Sequence, residues 1–147
     1  MEEIIQEKIS ADHLLYVSLK YTKTCDVIMN LLLRWRKMIE ICIIQILKDA
    51  EKRGKIKEVS DNAIGRINEI KKLLKKDPNV LETIDFFMML RKIESLKTER
   101  IGEFRKNVTL KVIFRGKEIN ITLDKLKEYA EMLENFVDMT KKRLQAK

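Results

Sequence analysis

One histidine, two cysteines and a scatter of carboxylates are the side chains of this chain that could move protons, attack carbonyls or hold metals. His13 is the sole imidazole, so any Ser/His or Cys/His nucleophile would depend on it, and a general base needs a positioned partner. The sequence identifies none, and His13 is expected simply to occupy the first turn of a long helix. Cys25 and Cys42 stand on one apolar stripe, seventeen residues apart. At about 1.5 Å of rise per residue they cannot meet along a straight helix, and two such thiols are too few for a thiolate zinc site. They are expected as buried free thiols, which fits a reducing cytoplasm. Glu94, Glu99 and Glu103 could share a neighbourhood. Di-metal bundle sites, however, use Glu-x-x-His pairs on facing helices, and no such pair occurs, so ion-paired surface carboxylates are expected. No Gly-rich or Lys-Ser/Thr phosphate loop is present. The sequence thus predicts no catalytic residue, no metal or cofactor, and no identifiable small-molecule substrate.

Basic residues offer more. The chain has 31 Lys and Arg against 23 Asp and Glu, a formal net charge of +8 that favours anionic partners such as nucleic acid, an anionic membrane surface or an acidic protein. Spread over solvated helix faces, the same excess would serve solubility alone. Arg34-Trp35-Arg36-Lys37 mixes bases with an aromatic, as single-strand binders do. Trp35 nevertheless falls on the apolar stripe, which predicts a core tryptophan flanked by solvated bases. The candidate nucleic-acid contacts are Arg105, Lys106, Lys111, Arg115 and Lys117, all within thirteen residues. Strand alternation would turn Lys111 away from Leu110 and Val112, toward solvent. Such a cluster would bind phosphates with little sequence preference and strong salt dependence. Equally, it could be an edge hairpin protected from aggregation by its lysines.

The elements that would position these residues are mostly helical. The chain's 147 residues, four Gly and one Pro favour one mainly α domain spanning 1–147, and 37% charged residues is well above the usual quarter. The Lys, Glu and Ile bias with three Gln suggests a thermophile. From Leu14 to Leu47 apolar residues recur in steps of three and four (Leu14, Val17, Tyr21, Cys25, Ile28, Leu32, Trp35, Ile39, Cys42, Ile46). A second row through Leu15, Leu19, Leu31, Met38 and Leu47 widens the stripe beyond a coiled-coil seam. Ser10 would cap this helix. A straight helix over 14–47 would be roughly 50 Å long, against a domain diameter of roughly 40 Å. Thr22, Thr24, Cys25 and Asp26 mark a bend or break, but the stripe keeps its phase across them, which predicts one long, bent helix. Overhanging its own domain, it would need a partner, hence a homodimer.

Arg53-Gly54 stops that helix. Ser60 would cap a second, with Ala63, Ile67, Ile70 and Leu74 inward and Lys71, Lys72, Lys75 and Lys76 favouring its C-terminal dipole. Asp77-Pro78 opens a third helix, predicted over Asn79 to Arg105. Alternation at Val108, Leu110, Val112 and Phe114, then at Ile119, Ile121 and Leu123, around Arg115-Gly116-Lys117, predicts a β-hairpin at 108–123. Thr122 or Asp124 would cap the last helix, which closes with Lys141, Lys142 and Arg143. The fold expected is an up-and-down bundle of about four helices with one hairpin before the last. An acidic, mixed start unlike a leader, and no apolar run near 20 residues, point to the cytoplasm.

The order of helices, Arg105-Lys106-Asn107, a short hairpin and a terminal helix resembles the HEPN superfamily, as does the opening Ser10-Ala11-Asp12-His13-Leu14-Leu15. The resemblance implies a homodimeric helical protein whose metal-independent ribonuclease site pairs an Arg with a His shortly beyond it. Arg105 matches that Arg, but Leu110, Lys111 and Val112 hold the places for the His, and Arg115 with Asn120 lacks it too. The implied protein is a degenerate member that keeps the bundle, the dimer and RNA binding without the catalytic pair. On residues alone, the expectation is a non-catalytic, homodimeric interaction protein, with RNA binding near the hairpin as the alternative.

Overall fold

Thr22, Lys23 and Thr24 decide how the chain begins. In the computed structural model, which describes residues 1–146, Thr22 and Thr24 are extended, and the Thr24 hydroxyl accepts the Val27 N–H at 3.3 Å as the cap of a new helix. The helix predicted across 14–47 is therefore two. Helix α1 (Glu2–His13) continues through a π-helical turn (Leu14–Ser18) and a last short turn, α2 (Leu19–Tyr21), as one N-terminal rod. Helix α3 (Cys25–Lys52) then runs back antiparallel to it: the Met1 amino group meets Gln45 at 3.1 Å, and Glu7 meets Arg34 and Lys37. The break is physical rather than accidental, because threonine hydroxyls offer the backbone a competing partner and favour caps over helix interiors. The predicted phase does not survive the break: Cys25, Ile28 and Leu32 are buried beyond it, but of the residues before it Val17 and Tyr21 face solvent, and Leu15 and Leu19 are the ones that turn inward. Ser10 lies inside α1, not at a cap.

Helix α3 is the centre of the molecule. Its 28 residues span about 42 Å, and twelve of them are buried, from Cys25 and Ile28 through Trp35 and Cys42 to Ala50. Helix α4 (Ala63–Leu73) is capped by Asn62, whose side chain accepts the Gly65 N–H at 2.7 Å, rather than by Ser60. Ser60 lies so close to Gly65 that a Cβ there would collide with it. Helix α5 (Pro78–Lys92) starts at Asp77-Pro78 as the sequence indicates, with the Asp77 carboxylate accepting the Asn79 and Val80 N–H groups. It ends at Lys92 with a 3₁₀ turn to Ser95, well short of Arg105.

The residues that prolonged it on paper form a strand instead. β1 (Lys97–Ile101), β2 (Thr109–Phe114) and β3 (Lys117–Thr122) make an antiparallel sheet in the order β1-β2-β3, with Glu99 opposite Lys111 and Lys111 opposite Asn120. Every residue of β1 is exposed, so it carries no alternation to read, and its strand conformation comes from pairing with β2. The β2–β3 hairpin turns at Arg115-Gly116, both at positive φ (53° and 76°), as a two-residue type I′ loop requires. Thr122 caps α6 (Leu123–Gln145), accepting the Lys125 N–H at 3.0 Å. Trp35, Phe86 and Tyr129 stack and cross edge to face where α3, α5 and α6 meet. The fold is mainly α with a small antiparallel sheet before the last helix. Among the described residues no helix is long and apolar enough to cross a membrane.

Candidate interaction surfaces

The five bases predicted as a cluster do not converge. Arg105 and Lys106 lie in the β1–β2 loop, while Arg115 and Lys117 lie at the hairpin turn, the far end of β2. Six residues of strand put roughly 20 Å between those ends. Lys111 stands midway, on the solvent face as expected, but its ammonium is held by Glu118 at 2.9 Å and Glu99 at 3.7 Å. Its hydrogen bond to the Glu118 carboxylate raises its pKa, with Glu99 adding to the effect. Arg115 lies over the Phe114 ring, 4.8 Å from its centroid, with a guanidinium nitrogen 3.9 Å from the Met88 sulfur. The sheet therefore presents two separated pairs of free bases around a neutralised centre.

The other candidates for chemistry are also placed. His13 is exposed at the end of α1. Cys25 and Cys42 are buried on α3. Burial raises the Cys25 thiol, whose sulfur donates to the Thr109 carbonyl at 3.4 Å, and pushes Cys42 up to about 12. Both thiols are thus held protonated and away from solvent, the opposite of an activated nucleophile. Glu94 pairs with Arg36, Glu99 with Lys111 and Glu103 with Arg100, each on the surface. Among the described residues, no three His, Cys, Asp or Glu side chains lie close enough to share a metal ion.

What the sequence missed is the outer face of the N-terminal rod. Its inner face (Ile4, Ala11, Leu15, Leu19) is buried, and Glu7, nearly enclosed, clamps the rod to α3 through Lys37 at 3.0 Å and Arg34 at 3.3 Å. Facing solvent are Ile5, Ile9, Val17 and Tyr21, with His13 completing a row of steps of four and Tyr16 beside it. Ile9 is 57% exposed and Tyr21 78%. Steps of four drift by about 40° each around a regular α-helix, which would wind such a row off one face. The π turn at Leu14–Ser18, where the Leu19 N–H reaches the Leu14 carbonyl, takes up one extra residue and offsets part of that drift. Beside Tyr21 the Lys23 carbonyl accepts the Phe104 N–H at 2.6 Å. Phe104 is 75% exposed and adopts φ 65°, a left-handed conformation costly for a bulky residue.

Charge is divided along this surface. Glu2 and Glu3 stand exposed at its start. At its end Lys20, Lys23 and Lys127 line an open depression of about 280 Å³ with Tyr16 and Leu123. Ile5 and Ile9 were the available signal, but Val17 and Tyr21 read as part of the inward stripe that starts at Leu14, whereas they face solvent. No protein-family model matches the chain, and neither does any curated protein or solved structure.

Proposed function

We infer that this chain is a self-associating interaction protein without catalysis of its own, pairing with a second copy through the outer face of the N-terminal rod. The observation that carries this is the solvent-facing row Ile5, Ile9, His13, Val17, Tyr21 on a helix whose other face already fills the core. An apolar row on a monomer's surface, extended by an exposed phenylalanine in a strained conformation, is a surface that gains from being covered. The occupant follows from charge. In a two-fold antiparallel pairing the acidic start of one rod, Glu2 and Glu3, lies beside the basic end of the other, Lys20 and Lys23. A parallel pairing would set like charges together. The degenerate HEPN-like reading accords with a helical homodimer, and the α3 stripe, buried within its own chain, is not needed for it.

A strip about 10 Å wide and roughly 30 Å long covers on the order of 300 Å² per chain, below the ~800 Å² of a standard interface, so affinity in the micromolar range is expected. Sedimentation velocity at about 100 μM should show dimer. Glu2→Lys with Glu3→Lys should weaken it, and adding Lys20→Glu with Lys23→Glu in the same chain should restore it. Failure of that second pair to restore association would remove the antiparallel two-fold arrangement.

A further inference from the structure

The two lysine-rich helix ends, which lie almost seventy residues apart in the sequence, are neighbours in the fold. The last turn of α4 and the residues after it carry Lys71, Lys72, Lys75 and Lys76, and the last turns of α6 carry Lys141, Lys142 and Arg143. Arg143 lines one open depression, of about 520 Å³, together with Leu73 through Pro78. The C-cap of α3 reaches the same end, where Arg53 donates to the Ala146 carbonyl. Three helix C-termini therefore gather there with their bases.

Helix dipoles do not account for the number. Each C-terminus carries about half a negative charge, so three of them call for one or two bases, not seven. Some bases elsewhere are paired, Arg34, Arg36, Arg66, Arg100 and Lys111 facing carboxylates, and the unpaired Arg105, Lys106, Arg115 and Lys117 are split between the two ends of the sheet. Among the described residues none of these seven forms an ion pair. The one carboxylate lining the depression, Asp77, is occupied capping α5. Seven bases without ion-pair partners thus share one end of the bundle, where they repel one another unless an anion is present.

We propose that this end binds the phosphodiester backbone of a nucleic acid without reading its bases. Lys75, Lys76 and Arg143 line the open, concave surface together with Leu73, Leu74, Asp77 and Pro78, and the other four bases stand around it, an arrangement suited to a run of phosphates rather than to one enclosed phosphate. No aromatic lines it, so base stacking plays no part. An anionic membrane is disfavoured because a surface-bound protein inserts apolar side chains beside its bases. The exposed large apolar residues lie elsewhere: on the rod, at Ile101 and Phe104, and at Ile64 on the first turn of α4. The site is independent of self-association through the rod.

The test uses the full chain with a fluorescent single-stranded RNA and, as a second arm, a duplex DNA, titrated by anisotropy at several salt concentrations. Binding in the micromolar range at about 50 mM salt is expected, weakening on the order of 100-fold by about 200 mM as some four phosphates are neutralised. Changing exposed Lys72, Lys76, Lys141 and Lys142 together to Gln should weaken binding more than about tenfold and flatten the salt slope by roughly three. A charge-matched control, Arg105→Gln, Lys106→Gln, Arg115→Gln and Lys117→Gln, should retain most of the binding, with circular dichroism confirming that both variants fold. Equal losses in the two variants would overturn the proposal, since net charge alone would then explain binding. So would no binding at low salt, or binding only to vesicles containing phosphatidylserine.

Discussion

Helices α1 and α3 lie antiparallel against one another and both are amphipathic, yet they dispose of their apolar residues in opposite ways. Along α3 the stripe is wide because four other helical segments cover it, and its large side chains, such as Leu32, Ile39 and Ile46, are fully buried. Along the rod the apolar residues fall into two rows, one buried and one in water. A wide stripe is thus no sign of an external partner when the chain itself supplies enough surfaces. A second, narrow row on a helix already packed on its other side is such a sign.

The contrast is sharpest for truncations. Leu32→Ala on α3 should cost about 2–5 kcal/mol in urea unfolding, because a fully buried leucine leaves a cavity. Ile9→Ala on the rod should change monomer stability by less than about 0.5 kcal/mol while weakening association. Similar stability losses at both positions would erase the distinction between the two rows.

Alkaline pH probes the α3 side alone. Burial raises the Cys42 thiol from 9.0 to about 12, and burial, with a smaller contribution from Glu128, raises the Tyr129 phenol to about 12. A raised folded pKa means that the unfolded chain releases its proton first. The stability tied to these groups is therefore complete below about pH 9 and lost as pH climbs toward 12. For Cys42 the loss is of order a few kcal/mol. Denaturant titrations from pH 8 to 12 should show this decline, and Cys42→Ala should flatten it. An unchanged slope in that variant would mean that the thiol ionises as readily folded as unfolded.

The junction between the helices depends on Glu7. Replacing it with Gln removes the charge that Arg34 and Lys37 share at a nearly buried site, and should cost about 1–3 kcal/mol. A cost near zero would make the clamp an ordinary surface pair. The smallest effect has the opposite sign. Phe104→Gly relieves a left-handed backbone and should add about 1 kcal/mol to monomer stability while weakening the dimer. Gained stability with unchanged association would place Phe104 outside the interface.

Legibility from sequence followed local chemistry. Asp77-Pro78, the alternation around Gly116 and the Thr122 cap act within a few residues of themselves, and all stand where expected. β1 was illegible because Lys97 to Ile101 are all exposed and owe their conformation to β2 across a seven-residue loop. Thr22 to Thr24 could be marked as a weak point but not as a reversal, since apolar residues on both faces of the rod let Val17 and Tyr21 read as a continuation of the α3 stripe although they face solvent. The bases at 105–117 looked like a cluster because strand geometry stretches thirteen residues over both ends of a sheet. Those at 71–76 and 141–143 looked like two separate helix ends because only the tertiary fold brings them together.

Cysteine cross-linking reads the pairing of the two rods directly, because the native thiols of Cys25 and Cys42 are buried and will not compete. His13 stands at the middle of the row from Ile5 to Tyr21, so a two-fold antiparallel pairing brings it against its own copy. His13→Cys should form a disulfide-linked dimer under mild oxidation. Ile5→Cys and Tyr21→Cys should each stay monomeric alone and cross-link when mixed. Failure of His13→Cys to cross-link at concentrations where the unmodified chain is run, or equal cross-linking by all three alone, would contradict pairing through the outer face of the rod.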